Sequence, residues 1–346
     1  MIEDIRNLDL SELELSFKAL GLEVYRARQV FDWLYKKGVE DFSLMKNLGD
    51  KTREKLTEYY SLEPLKIGTI ETSRDLTQKF LFCLKDGNYI ESVSIPFKSR
   101  MTLCLSTQVG CRFCCSFCAS GASGFKRNLE VSEIIAQFIA MRKNVPEGSV
   151  SNVVFMGVGE PLDNYENVLK AIRIMNAQEG IRLGIRKITI STSGLAPSIE
   201  RLAKDDLGLE LSVSLHAAID EKRSQIMPVN KKYPIKILFK AIKNFMEKTK
   251  RKVTLEYALI GGFNTGVEDA EQLVRLARGM KVNLIPYNPA ESRYRFEAPS
   301  KLEVLFFKNY LSKKGIDVTV RMPRGTDITA ACGQLRINAD KKKGAA

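Results

Sequence analysis

From residue 101 onward the chain repeats one hydrophobic pattern. A short apolar, β-branched run comes first, then a polar or glycine-rich break, then a longer stretch with apolar residues at helical spacing. The short runs are "MTLCLST", "NVVFMG", "KITIST", "LELSVSL", "VTLEYALI" and "VNLIPY", with "DVTVRM" as a seventh near the end. Amphipathic stretches such as "NYENVLKAIRIMN" and "VEDAEQLVRLARGM" lie between most of them. Strands alternating with helices build a parallel sheet. Six such units over roughly 230 residues are too many for a small open sheet and predict an incomplete α/β barrel.

Upstream the pattern differs. Residues 1–62 read as a small helical module. "LSELELSFKALGL" and "YRARQVFDWLYKKG" each close on a glycine, and "LGDKTREKLTEYY" opens with Asp50 in a capping position. Residues 63–97 alternate instead, and "QKFLFCLKDGNYIESVSIP" breaks at "KDGN", a hairpin signal. A short antiparallel β-segment is predicted there. The barrel is assigned to residues 98–330. Residues 331–346 hold a cysteine-bearing segment and a basic tail, "NADKKKGAA", whose composition predicts disorder.

Of 346 residues, 44% are hydrophobic and 27% charged, an ordinary soluble composition. "MIEDIRNLDL" has acids and no apolar run, so it does not read as a signal peptide. No apolar stretch reaches the ~18 residues of a membrane span. The default location is the cytoplasm, where thiols stay reduced. Seven cysteines then read as metal ligands or catalysts rather than as a disulfide framework.

The excess of 54 Lys and Arg over 41 Asp and Glu gives a net charge of +13 and favours a polyanionic partner such as nucleic acid. It concentrates in residues 231–252, with nine basic residues and one acid. Leu238, Ile242, Phe245 and Met246 there fall at helical spacing, predicting a helix with a buried face and a cationic face that includes Lys243 and Lys250. An RNA contact and a plain solvated surface both fit that face.

In parallel α/β folds the chemistry sits beyond the C-terminal ends of the strands. The first run leads into "CLSTQVGCRFCCSFCAS", which holds five of the seven cysteines. The second leads into "GVGEP", the third into Ser191, the fourth into Ser214, Leu215 and His216, and the sixth into Asn288. Cys111, Cys115 and Cys118 are spaced Cys-X3-Cys-X2-Cys, while Cys111-X2-Cys114-X3-Cys118 is an alternative set. Three thiolates on one loop hold one metal centre. A closed structural zinc site wants a fourth ligand, whereas an iron–sulfur cluster with three cysteines keeps one iron open for chemistry. "GVGEP" lacks the third glycine of a dinucleotide fingerprint, though its glycines permit close backbone approach to a ligand.

These residues resemble the radical S-adenosylmethionine (SAM) superfamily. The resemblance implies a 4Fe–4S cluster on Cys111, Cys115 and Cys118, and leaves Cys114 without a role. It implies that Gly159 and Glu160 contact the methionine end of SAM. It places Ser191, Ser214, Leu215, His216 and Asn288 around the carboxylate, ribose and adenine. Cys104 in front of the loop, Glu91 in "IESV", "FMGVGEPLDNYENV", "STSGLAP" and Cys332 in "AACGQL" narrow the resemblance to the RlmN/Cfr RNA methyltransferases. "GEPLDNY" is closer to the RlmN branch, which methylates adenine carbon 2; Cfr-like members methylate carbon 8. "SRDLTQK" departs from the usual "DGTxK" of that family.

The resemblance implies a mechanism. Carbon 2 of adenine is electron-poor and does not attack the methyl of SAM. Cys332, a stronger nucleophile, accepts that methyl first. A second SAM yields the 5′-deoxyadenosyl radical that activates the S-methyl group, so two SAM are used per turnover. The activated carbon adds to the ring and ties the RNA to Cys332. Cys104 resolves the adduct by forming a disulfide with Cys332, and Glu91 stands in the position of the base. The implied partners are 23S ribosomal RNA, a tRNA adenosine next to the anticodon and an electron donor such as flavodoxin, with the chain acting as a monomer. Cys83, in "KFLFCL", reads as structural. A rival from another class is a zinc-bearing RNA-binding protein without catalysis.

Overall fold

The computed structural model describes residues 2–122, 124–146, 148–288 and 296–335. The tail read as disordered lies outside them. Ten strands form one sheet in chain order: β1 (Lys66–Thr72), β2 (Gln78–Cys83), β3 (Tyr89–Phe97), β4 (Arg100–Cys104), β5 (Val150–Phe155), β6 (Ile188–Thr192), β7 (Glu210–Ser214), β8 (Thr254–Leu259), β9 (Lys281–Pro286) and β10 (Asp317–Val320). Each of the seven apolar runs becomes one of the strands β4–β10, and neighbours among these pair in parallel. The hairpin strands β1–β3 pair antiparallel and join the same sheet through β3 and β4. The two edges, β1 and β10, do not pair, so the barrel stays open.

Helices fill the connections between parallel strands, as period-3.6 patterning requires. Ile235–Thr249 shows the logic: Leu238, Ile242 and Phe245 are buried while Lys236, Lys240 and Lys243 are exposed. The sheet face toward the helices is aliphatic and aromatic, with Val153, Phe155, Ile188, Ile190, Leu211, Val213 and Leu255 all buried. The opposite face alternates to smaller or polar side chains, including Ser191, Ser212, Ser214, Glu256 and Asn283. That alternation leaves room inside the barrel, where a filled barrel would carry bulky branched residues.

The N-terminal module begins with a capping box: Asp9 accepts from Glu12 N at 2.9 Å, and Glu12 Oε2 accepts from Asp9 N at 2.9 Å. Helix Tyr25–Phe31 runs on through a wider-wound stretch, Asp32–Lys37, and stops at Gly38, φ 66°. Asp50, read as a cap, is instead the first helical residue; Gly49 is the cap and supplies no side-chain bond. The module docks on helix Val131–Lys143. Arg142 donates to the Tyr35 carbonyl at 3.0 Å, and Asn7 Oδ1 accepts from Ser132 N at 2.8 Å.

Candidate active site

β4 ends at Cys104, and the chain then folds back on itself. Gln108–Gly110 pairs antiparallel with Phe125–Asn128 and pins both ends of the cysteine loop. Gly110 is obligatory there: its φ is 76°, and a Cβ would sit 1.7 Å from the Gly124 carbonyl oxygen. Cys111 N donates to that same oxygen at 3.0 Å, and Ser116 N donates to the Ile226 carbonyl at 2.9 Å. So held, Cys111, Cys115 and Cys118 all line one cavity at the C-terminal ends of the parallel strands. Cys114 does not; it is exposed, with φ 49°. Burial pushes the Cys111 thiol up to about 12 and raises Cys115 and Cys118 as well. Neighbouring thiols add to each shift, so three thiolates here need a cationic centre among them. Among the described residues no three His, Cys, Asp or Glu side chains are gathered tightly enough for a single metal ion.

The cavity opens to solvent, and about 1020 Å³ of empty space lies within it and its mouth. Gly159, Glu160, Ser191, Ser214, His216, Asn288 and Cys332 all reach its wall. Leu215 does not; its side chain is buried in the core, and its carbonyl accepts from Arg223 at 3.1 Å. The glycines of "GVGEP" answer to the protein itself. A Cβ on Gly157 would lie 2.7 Å from the Leu105 carbonyl oxygen, and one on Gly159 (φ 105°) 2.6 Å from Gln108 Cβ. They let the cysteine loop pack on the β5 turn. Glu160 is buried, and its two carboxylate oxygens accept from Leu162 N at 3.1 Å and Ser193 N at 2.6 Å. Desolvation raises its pKa while the Ser193 bond opposes the rise. His216, at φ 55°, accepts from Ala258 N at Nδ1 and meets the Phe117 ring edge-on at 4.7 Å. Burial lowers its pKa to about 3, so the ring is neutral with its proton on Nε2.

A family model for the ribosomal RNA large subunit methyltransferase N-terminal domain matches residues 3–62, and one for the radical SAM superfamily matches residues 105–277. The chain is 46% identical over 345 residues to a probable dual-specificity RNA methyltransferase RlmN of Thermotoga maritima, covering 99% of this chain and 100% of that one. The chain belongs to the RlmN family of radical SAM RNA methyltransferases. A dual-specificity RNA methyltransferase RlmN of Geobacter sulfurreducens is 44% identical, with 98% of this chain and 94% of that one covered. The crystal structure of a radical SAM methyltransferase from Sphaerobacter thermophilus superposes with a TM-score of 0.91 at 42% identity, over 96% of this chain and 99% of that one.

The cofactors of this RlmN-family chain are a 4Fe–4S cluster and SAM. The residues present fit them. The donor set is three half-buried thiols facing a cavity. Across that cavity lie the buried carboxylates Glu160 and Glu256, and Glu256 Oε2 has no hydrogen-bond partner. Sequence reasoning missed Glu256, although an acid inside "VTLEYALI" is a visible signal: it sits mid-strand on an otherwise apolar run. It also missed Arg321 on the cavity wall. Its pKa is raised by the facing Cys332 first, then by Glu256 and Cys104, against the desolvation of a half-buried guanidinium. Arg223, fully buried, was not singled out either. It donates to the carbonyls of Ser193 at 2.7 Å and Ser214 at 3.2 Å, tying together two loops of the cavity wall.

Cys104 and Cys332 come within electrostatic reach of each other. Cys332 lines the cavity, while Cys104, 5% exposed, packs beneath it among Val93, Val158, Ala330 and Leu335. Burial, then the nearby Cys332, pushes the Cys104 thiol up to about 12, and Arg321 opposes the shift. All seven thiols are free. Glu91 is not brought to the cavity wall. It is buried, with Lys79 Nζ 3.6 Å from its carboxylate.

Proposed function

We propose that this chain methylates carbon 2 of an adenosine in 23S ribosomal RNA, and of an adenosine next to the anticodon in tRNA, with the methyl group carried on Cys332. The observation that carries the reading is the pair of thiols outside the cluster set. Cys332 faces the cavity and Cys104 lies within electrostatic reach of it, with the Arg321 cation serving both. The Arg321 cation offsets part of the burial penalty on the Cys104 thiol, whose thiolate is the form that attacks sulfur. The bound cluster and SAM supply the 5′-deoxyadenosyl radical. Cys332 takes the methyl from a first SAM and becomes the point of attachment to the ring. Cys104 then attacks the Cys332 sulfur: the sulfur–sulfur bond forms as the carbon–sulfur bond breaks, its electron pair stays on the carbon, and that carbon takes up a proton to become the methyl group, leaving a Cys104–Cys332 disulfide. Glu91 is assigned as the base of this scheme; its carboxylate lies 3.6 Å from Lys79 Nζ on the Cys104 face of the sheet.

The choice of carbon 2 rests on the likeness of "GEPLDNY" to the RlmN branch, and the two RNA classes rest on the dual-specificity names of the relatives. Residues of that stretch hold the cysteine loop: Asn164 donates to the carbonyls of Thr107 and Leu129 at 2.9 and 2.8 Å, and Asp163 pairs with Arg112 at 2.8 Å. Under this reading the enzyme works as a monomer in the cytoplasm with a flavodoxin-like electron donor. The test is anaerobic turnover with ribosomal RNA and with tRNA, followed by nucleoside mass spectrometry. The reading predicts 2-methyladenosine from both. 8-Methyladenosine would move the chain to Cfr-like chemistry, and one tight zinc per chain with no methylated adenosine would favour the RNA-binding rival.

A further inference from the structure

One rung of the sheet runs Glu71–Lys79–Val93–Cys104, read from the registers of β1, β2, β3 and β4. Directly paired residues point to the same face, so Lys79 and Cys104 share a face about two strand spacings, roughly 10 Å, apart. The C-terminal segment Gly325–Leu335, which carries Cys332, lies across that face. Ile328, Ala330 and Leu335 pack there on Val93, Ile95 and Cys104. At one end the segment is bonded to the cluster loop: Ala119 N donates to the Gly333 carbonyl at 2.7 Å, and Ser120 Oγ to the Leu335 carbonyl at 3.0 Å.

The other end hangs on the hairpin. Lys79 Nζ donates to the Ile328 carbonyl at 2.7 Å and to Thr329 Oγ1 at 3.1 Å. Asp75 accepts from Gly325 N at 3.2 Å, and Arg74 N donates to Asp327 at 3.2 Å. Lys79 is 7% exposed, and its carboxylate partners Glu71 and Glu91 stand at 3.3 and 3.6 Å, further than the segment's carbonyl. A lysine kept only to neutralise two acids would not spend its shortest bonds on a passing loop. We propose that Lys79 is a positioning residue that sets the approach of Cys332 to Cys104 by tethering Gly325–Leu335 to the sheet. This rests on the reading of the two cysteines as the reacting pair.

The tether matters most at one step. Methyl acceptance needs Cys332 to face the cavity, but resolution needs its sulfur within bonding reach of Cys104. An ångström of drift suffices to slow an oriented reaction about a hundredfold. The experiment follows three species by mass spectrometry in one turnover: methylated Cys332, RNA joined to Cys332, and released methylated RNA. Lys79→Met should raise the ratio of joined to released RNA about tenfold or more, with Lys79→Arg recovering part of the loss. Thr329→Val removes one tether bond without leaving a charge unpaired, and should shift the ratio in the same direction by less; it carries the test if Lys79→Met fails to fold. A ratio unchanged in these variants, with all three species falling together, overturns the tether. Absence of methylated Cys332 in the native chain overturns the underlying reading, and the tether with it.

Discussion

The backbone N–H of Ala258 donates to Nδ1 of His216 at 2.9 Å, locking a buried neutral imidazole across β7 and β8. His216 titrates near 3 in the folded chain because burial, and then Arg223, penalise the imidazolium. Its unfolded value is about 6.5. Between those two values the unfolded chain binds more protons, so His216 contributes stability that is complete above pH ~6.5 and is lost as pH falls toward 3. His216→Asn keeps an acceptor and tolerates φ 55°. Urea melts across pH 7 to 4 should show a shallower acid decline for His216→Asn than for the native chain; equal slopes would refute the assignment.

Ligand choice is tested by colour. Cys111→Ala, Cys115→Ala and Cys118→Ala should lose the brown chromophore and bound iron and sulfide after anaerobic reconstitution, because each lines the cavity. Cys114→Ala should keep them, since Cys114 is exposed and turned away. A colourless Cys114→Ala beside an intact Cys115→Ala would reverse the assignment.

Cys332 and Cys104 should fail differently. Cys332→Ala removes the methyl carrier and should leave both protein and RNA unmethylated while the cluster survives. Cys104→Ala should stall with RNA joined to Cys332, seen as a slow band on denaturing gels with labelled RNA. Bands in both variants would show that the anchor is another residue.

Leu76 sits at φ 65° and is 68% exposed, in the stretch where the family pattern has glycine. Asp75 shapes the turn by accepting from Thr77 N at 3.0 Å, and the left-handed residue follows from it. Leu76→Gly should raise unfolding free energy by about 0.5–1 kcal/mol, the relief of left-handed strain less glycine's greater unfolded entropy. Denaturant midpoints check this, with Leu76→Ala as the control that should gain nothing.

Salt dependence of RNA binding locates the cationic contact. Helix Ile235–Thr249 connects the C-terminal end of β7 to the start of β8, so exposed Lys231, Lys232 and Lys236 lie at the helix end that follows the strand C-termini, and Lys243 and Lys250 lie toward the other end. Changing the latter three to Gln should flatten the slope of log K against log salt by about one contact each. Lys243→Gln with Lys250→Gln should leave it unaltered. The opposite result would place the RNA on the far end of the barrel.

Strand and helix periods were legible in the chain because each is a local property: every apolar run of the barrel became a strand, and the spacing Cys111, Cys115, Cys118 put three thiols on one short loop. Residues at strand ends converge on one face by the rules of parallel sheets, so Glu160, Ser191, Ser214, His216 and Asn288 could be gathered from sequence alone. Tertiary structure decided what depends on pairing across long separations. Cys104 and Cys332 are 228 positions apart, and only the path of the last segment over the β3–β4 face brings them near. The same holds for Lys79 and Ile328, and for Arg321 near two thiols. A residue's neighbours along the chain set its φ, ψ and face; which buried charge it meets is set by register between strands, and that appears only when the sheet is assembled.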